Sequence, residues 1–125
     1  MRHFLDLKDF STATLQAMLD DGLAMKAQLK QAGGHAVPLA GKTVAMIFEK
    51  PSTRTRVSFE VGIRELGGSV MFLNANDMQL GRGEPIKDTA RVLGRMVHGV
   101  VIRTYAQARS EEHTSELQSP CNLVC

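Results

Sequence analysis

The strand-to-helix transition that decides the fold is TVAMIFEKPSTRTRVSFE, residues 43–60. Its first six residues are mostly apolar, which favours a buried strand. Pro51 and Ser52 then supply a turn, and the residues that follow have the apolar spacing of an amphipathic helix. The predicted helix therefore begins with hydroxyl side chains and with two arginines, Arg54 and Arg56.

The beginning of this helix is a favourable place for an anion. The first backbone N–H groups of a helix lack partners, and the positive end of its dipole lies there. Guanidinium groups add fork-shaped donors that match phosphate oxygens. The spacing is that of neither a P-loop nor a dinucleotide-binding loop. We therefore predict a phosphate cradle of another type; the alternative is that the hydroxyls only cap the helix and the arginines are solvated.

The remaining sequence alternates helices with strands around this segment. Helices are predicted to begin near residues 11, 53 and 85, and strands are predicted at 43–48, 69–73 and 99–104. Val92, Leu93 and Met96 are expected to face the core from the third helix. Such alternation predicts an α/β domain whose parallel strands are joined by right-handed crossovers.

Two candidate anion-binding residues fall at the carboxyl ends of predicted strands. Ser52 follows the first strand and Arg103 lies at the end of the third. Ligands of open α/β sheets bind at this edge. The sequence therefore predicts that Ser52 and Arg103 converge on one site.

Size and composition limit the classes of protein to which this chain can belong. A chain of 125 residues supports one domain, and 43% hydrophobic with 22% charged residues is ordinary for a globular protein. A net charge of +2 gives no reason to expect nucleic acid or a membrane as a partner. No apolar run is long enough to span a bilayer, and the first residues have no signal-peptide core, so we expect a cytoplasmic protein.

The motif at the second helix resembles the carbamoyl-phosphate signature of the aspartate and ornithine carbamoyltransferases, here FEKPSTRTRVSFE. With Lys50, the motif is similar to that of the ornithine branch, whereas the aspartate branch usually has glutamate at this position. Stretches 2–7, 79–93 and 101–105 also resemble that branch, in the expected order. The resemblance covers about residues 1–108. It implies the family's carbamoyl-phosphate-binding domain, incomplete here, with a parallel β-sheet between two layers of helices.

The resemblance also implies a reaction. The δ-amine of L-ornithine attacks carbamoyl phosphate, giving citrulline and phosphate without a metal or organic cofactor. The full-length family members form homotrimers. The residues implied to bind carbamoyl phosphate are Ser52, Thr53, Arg54, Thr55, Gln79 and Arg103, with catalytic roles for Arg54, Thr55 and Arg103. Gln79 would reach the ligand of a neighbouring subunit.

Two parts of the family pattern are missing from this sequence. These are the His-Pro-x-Gln segment and the second domain, which carries the ornithine site and a His-Cys-Leu-Pro loop. We therefore expect the 125-residue chain to be inactive alone. Other acceptors, namely aspartate, putrescine or acetylornithine, stay open, as does a phosphate-binding module without catalysis. The module is disfavoured because the chain would stop before a fourth strand and leave residues 99–104 as an exposed edge.

The end of the chain follows a different pattern. Residues 109–119 have no apolar period, and one reverse translation of them resembles a common sequencing-library adapter. We expect residues 109–125 to be a non-native tail; the alternative is a divergent natural C-terminus. Cys121 and Cys125, with only His113 nearby, make an incomplete zinc ligand set, so no metal site is predicted.

Overall fold

The computed structural model describes residues 3–31, 33–49, 52–74, 86–103 and 122–124. A short 3-10 turn, Leu7–Asp9, precedes helices α1 (Thr12–Leu29), α2 (Thr53–Glu65) and α3 (Ile86–Met96). The strands are β1 (Thr43–Phe48), β2 (Ser69–Asn74), β3 (Gly99–Arg103) and β4 (Asn122–Val124). The predicted alternation of helices and strands is confirmed through β3.

The four strands form one parallel sheet in the order β2-β1-β3-β4. Phe48, the last residue of β1, lies opposite Asn74 of β2 and Arg103 of β3. The carboxyl ends of these three strands therefore meet at one edge of the sheet. The predicted α/β class with a parallel sheet is confirmed.

Helices cover the sheet on both faces, as its apolar strands require. Side chains of β1 alternate between two buried clusters. Ala45 and Ile47 belong to one cluster, against which Leu93 of α3 packs. Met46 and Phe48 belong to the other, which contains Ile63 of α2. The expected layering of helices, sheet and helices is thus observed.

The ends of the helices follow from local chemistry. Ser11 caps α1, because its Oγ accepts a hydrogen bond from the backbone N–H of Thr14 at 3.1 Å. After α2 the chain turns at Gly67, whose φ of +86° is the left-handed conformation expected of a glycine at a helix end. In the part of the chain that the structure describes, no helix has the length and apolarity that a membrane span needs.

Two of the three α3 residues expected in the core are exposed. Val92 is 49% and Met96 is 73% exposed, whereas Leu93 packs against the core and Val97, just after the helix, is buried. Residues four apart share a helix face, so 93 and 97 point at the sheet and 92 and 96 lie beside that face. The expectation for Val92 and Met96 was wrong because the apolar face of α3 is broader than the strip that packs on the sheet.

The expectation that β3 is an exposed edge was also wrong. β4 pairs with β3, and Gly99 lies opposite Asn122 while Val101 lies opposite Val124. β4 lies within residues 109–125, which the sequence analysis expected to be a non-native tail. A strand of three residues is too short to show a period, so the pattern gave no sign of it.

Candidate functional site

The candidate site lies where β1 and β3 end and α2 begins. The backbone N–H of Glu49 donates to the carbonyl oxygen of Arg103 at 2.9 Å, which ties the chain leaving β1 to the end of β3. Ser52 is the N-cap residue of α2. This connection brings Arg103 beside the first turn of α2, as the positions of Ser52 and Arg103 at carboxyl ends of strands predicted.

Three side chains from this edge form a hydrogen-bonded cluster. Arg103 donates from Nη1 to Thr55 Oγ1 at 2.8 Å, and Ser52 Oγ donates to the same oxygen at 2.9 Å. All three residues are half-buried. A hydroxyl has two acceptor positions and one hydrogen, and both acceptor positions of Thr55 are taken. The hydrogen of Thr55 is therefore left to donate to another group, such as a ligand oxygen.

Ser52 does not cap α2 with its side chain. Its hydroxyl makes no hydrogen bond to the first backbone N–H groups, because it points to Thr55 instead. The first turn also holds no acidic residue. Unpaired N–H groups and the dipole together favour an anion here. The alternative that the hydroxyls serve only as caps is thereby disfavoured for Ser52.

The other predicted site residues are less engaged. Thr53 and Arg54 are exposed at the first turn of α2. Across the described ranges, no hydrogen bond or ion pair of the Arg54 side chain is found, so its guanidinium is available to a ligand. Gln79 lies outside the described residues, as does Lys50.

Arg56 has a neighbour that sequence reasoning missed. Arg56 forms an ion pair with Glu60, four residues further along α2, with 4.0 Å between Arg56 Nε and Glu60 Oε2. In addition, the Arg56 guanidinium lies over the ring of Phe72, 3.6 Å from its centroid. Phe72 belongs to β2, so only the pairing of β2 with β1 brings it under α2.

The chemistry available at this site is positioning and charge stabilisation. It offers a helix N-terminus, an exposed guanidinium, a hydroxyl donor and a second guanidinium at the end of β3, all of which favour negatively charged oxygen. Among the described residues, no three His, Cys, Asp or Glu side chains are grouped so that they could hold a metal ion. The arrangement suits a small anion that carries negatively charged oxygens, such as a phosphate.

Comparison with known proteins identifies the family of this chain. Residues 2–122 match the family model described as "Aspartate/ornithine carbamoyltransferase, carbamoyl-P binding domain". The ornithine carbamoyltransferase of Nitratiruptor sp. is 55% identical over 121 residues, which are 96% of this chain and 38% of that protein. The chain therefore spans well under half the length of this relative.

Solved structures of both branches of the family share the fold. Ornithine carbamoyltransferase from Pyrococcus furiosus superimposes with a TM-score of 0.88 at 43% identity, covering 98% of this chain and 39% of that one. The catalytic subunit of M. jannaschii aspartate transcarbamoylase gives 0.84 at 29% identity, covering 98% and 40%. Since the family model spans residues 2–122, this chain belongs to the aspartate and ornithine carbamoyltransferase family and carries its carbamoyl-phosphate-binding domain.

Proposed function

We propose that this chain binds carbamoyl phosphate through Ser52, Thr53, Arg54, Thr55 and Arg103. We further propose that the longer protein of which it is part transfers the carbamoyl group to L-ornithine, giving citrulline and phosphate. The observation that carries the proposal is the Ser52–Thr55–Arg103 cluster at the beginning of α2. This cluster links the beginning of α2, which follows β1, to the end of β3, and so brings anion-binding groups from both to one site.

Each side chain has a distinct task in this proposal. Arg54 and the first N–H groups of α2 hold the phosphate. Thr55, with its hydroxyl hydrogen unused, donates to the carbonyl oxygen. Arg103 donates one N–H to Thr55. Its remaining N–H groups donate to the phosphate and to the carbonyl oxygen in this proposal.

The reaction then needs only positioning and charge stabilisation from these groups. When the δ-amine attacks the carbonyl carbon, negative charge develops on the carbonyl oxygen, where Thr55 and Arg103 donate. The new C–N bond forms, the C–O bond to phosphate breaks, and the departing phosphate takes up the proton that the amine loses. The departing phosphate stays with Arg54 and Arg103, which stabilise its charge.

Ornithine as the acceptor is supported by Lys50 and by the name of the relative that is 55% identical. The fold alone does not separate the acceptors, because an aspartate transcarbamoylase superimposes nearly as well. Aspartate, putrescine and acetylornithine are therefore the alternatives. The homotrimer, the contribution of Gln79 from a neighbouring subunit and the cytoplasmic location are further parts of the proposal that rest on the family resemblance.

Calorimetric titration of the chain with carbamoyl phosphate tests the binding proposal. Arg54→Ala is expected to weaken binding about tenfold or more, since hydrogen bonds to charged groups are worth about 1.5–3 kcal/mol. Arg64→Ala is the matched control, because Arg64 lies on the same helix, is exposed and is far from the first turn. Equal losses for both variants, or no binding by the unmodified chain, would contradict the proposal.

In a full-length parent protein, the effect of a variant on carbamoyl phosphate binding can be compared with its effect on ornithine binding. There, Arg54→Ala is expected to raise the dissociation constant of carbamoyl phosphate much more than that of ornithine. Equal losses for both ligands would mean that the role of Arg54 has been assigned wrongly.

A further inference from the structure

The first turn of α2 is attached to the sheet at two places. Thr55 accepts a hydrogen bond from Arg103 at the end of β3. Arg56, the next residue, places its guanidinium on the ring of Phe72 in β2. Successive helix residues point about 100° apart, so the two attachments hold the turn from different directions.

Phe72 is itself fixed in place. Its ring packs edge-to-face against Phe48, with 5.9 Å between centroids and 69° between planes. It is half-buried against the cluster that contains Met46 and Ile63. Phe48 in turn pairs in register with Arg103. Phe72, which supports Arg56, and Arg103 therefore lie on the two strands that flank β1.

Arg56 differs from the other arginines of α2. Arg54 is exposed in the first turn and is proposed to bind the ligand. Arg64 donates to Glu60 at 3.3 Å, but its side chain is 62% exposed. Arg56 is 45% exposed, and both its ring contact and its pair with Glu60 engage the planar guanidinium. Lysine has no planar group, so it does not reproduce such a stacked contact.

We propose that Arg56 is a positioning residue for the phosphate cradle. By stacking on Phe72 it holds the first turn of α2 so that Arg54 and Thr55 meet the same anion as Arg103. The identity of the anion rests on the proposed function; the attachment itself does not.

Hydrogen exchange in the ligand-free chain tests the attachment alone. The Arg56 amide donates to Ser52 O at 3.0 Å and reports on the first closed turn of α2. Arg56→Gln is expected to speed exchange at positions 56 and 57 about tenfold, because a cation–π contact is worth about 0.5–2 kcal/mol. Arg64→Gln removes the same charge and a pair with the same glutamate, and is expected to leave these amides unchanged.

Two further variants separate stacking from charge. Phe72→Leu is expected to speed the same amides, and adding it to Arg56→Gln is expected to add little, since both remove one contact. Arg56→Lys keeps the charge and is expected not to restore slow exchange. Restoration by lysine would overturn the proposal, and so would an equal rise across all amides, which would indicate a general loss of stability.

Carbamoyl phosphate titration then tests the consequence for the site. Arg56→Gln and Arg56→Lys are each expected to weaken binding about tenfold at a temperature where both are folded, while Arg64→Gln has no effect. Unchanged affinity in Arg56→Gln would overturn the positioning role. If the unmodified chain does not bind carbamoyl phosphate but the exchange results hold, the proposed function fails and the attachment of the first turn stands.

Discussion

At the scale of single residues, Thr55 is the centre of the hydrogen-bonded cluster at the candidate site. Its oxygen accepts from both Arg103 and Ser52, and its hydrogen is free for a ligand. Thr55→Val keeps the shape but removes both functions. We expect carbamoyl phosphate affinity to fall about 10- to 100-fold, because donors of Arg103 and Ser52 lose their acceptor as well.

Thr55→Ser is the matched variant for this prediction. It keeps the hydroxyl and is expected to bind within a few-fold of the unmodified chain, by the same calorimetric titration. A valine variant that binds as well as the serine variant would show that the Thr55 oxygen is not part of the site.

The sequence predicted some of these residue contacts and missed others. Ser52 and Arg103 were expected to converge, because both lie at carboxyl ends of strands in a parallel sheet, and that reasoning needs only the order of elements. The contact of Arg56 with Phe72 was missed. It depends on the register of β2 against β1, which pairs Met46 with Phe72 and which no local pattern specifies.

At the scale of elements, the end of α2 is set by a glycine pair. The N–H of Gly67 donates to Arg64 O and that of Gly68 to Ile63 O, both at 2.9 Å. These two hydrogen bonds form the Schellman motif. A β-carbon at Gly67 would lie 2.8 Å from Val37 Cβ, and its φ is +86°. Gly67→Ala is therefore expected to lower the free energy of unfolding by about 1–3 kcal/mol.

Urea unfolding measures this effect, and Gly22→Ala is its control. Gly22 lies inside α1, where an added β-carbon would meet nothing within 4 Å. Alanine is better than glycine in a helix by about 1 kcal/mol, so this variant is expected to be neutral or stabilised. Equal destabilisation by both changes would contradict the role given to the backbone at Gly67.

The outer edge of β3 gives a second prediction about an element. β4 covers this edge over three residue pairs. Ending the chain after Cys121 removes β4 and uncovers the N–H and C=O groups of β3, which favours pairing between chains. We expect more self-association in light scattering under reducing conditions. The control ends after Val124, so it keeps β4 and lacks only Cys125. Identical behaviour of the two chains would show that β4 does not protect the edge.

The sequence predicted the positions of the helices and strands well, but it predicted the solvent exposure of apolar side chains less well. Apolar runs mark β1 and β2 in the sequence, and the Gly67-Gly68 pair marks the end of α2, to within a residue or two. The apolar residues of α1 did not predict burial, because Leu19 and Leu23 are 64% and 67% exposed. Periodicity identifies an apolar face, but what covers that face depends on tertiary packing.

At the scale of the whole molecule, the chain spans well under half the length of its relatives. It aligns with 38% of one ornithine carbamoyltransferase and superimposes on 39% of another. The non-native origin of residues 109–125 stays a prediction, which resequencing the source DNA across codons 108–119 tests. A frame that continues into a His-Pro-x-Gln segment would support it, and confirmed codons through Cys125 would contradict it.

The last prediction concerns catalysis by the chain alone. With carbamoyl phosphate and ornithine present, the purified 125-residue chain is expected to form no citrulline above the uncatalysed rate. Holding both reactants in attack geometry contributes about 7–11 kcal/mol to such a reaction, and this chain is proposed to hold only carbamoyl phosphate. Ornithine is accordingly expected to leave the affinity for carbamoyl phosphate unchanged.

A colorimetric citrulline assay measures the rate of citrulline formation, and a full-length protein that begins with residues 1–108 serves as the active control. Citrulline formed by the 125-residue chain, and lost in Arg103→Met, would instead place an ornithine site within these residues.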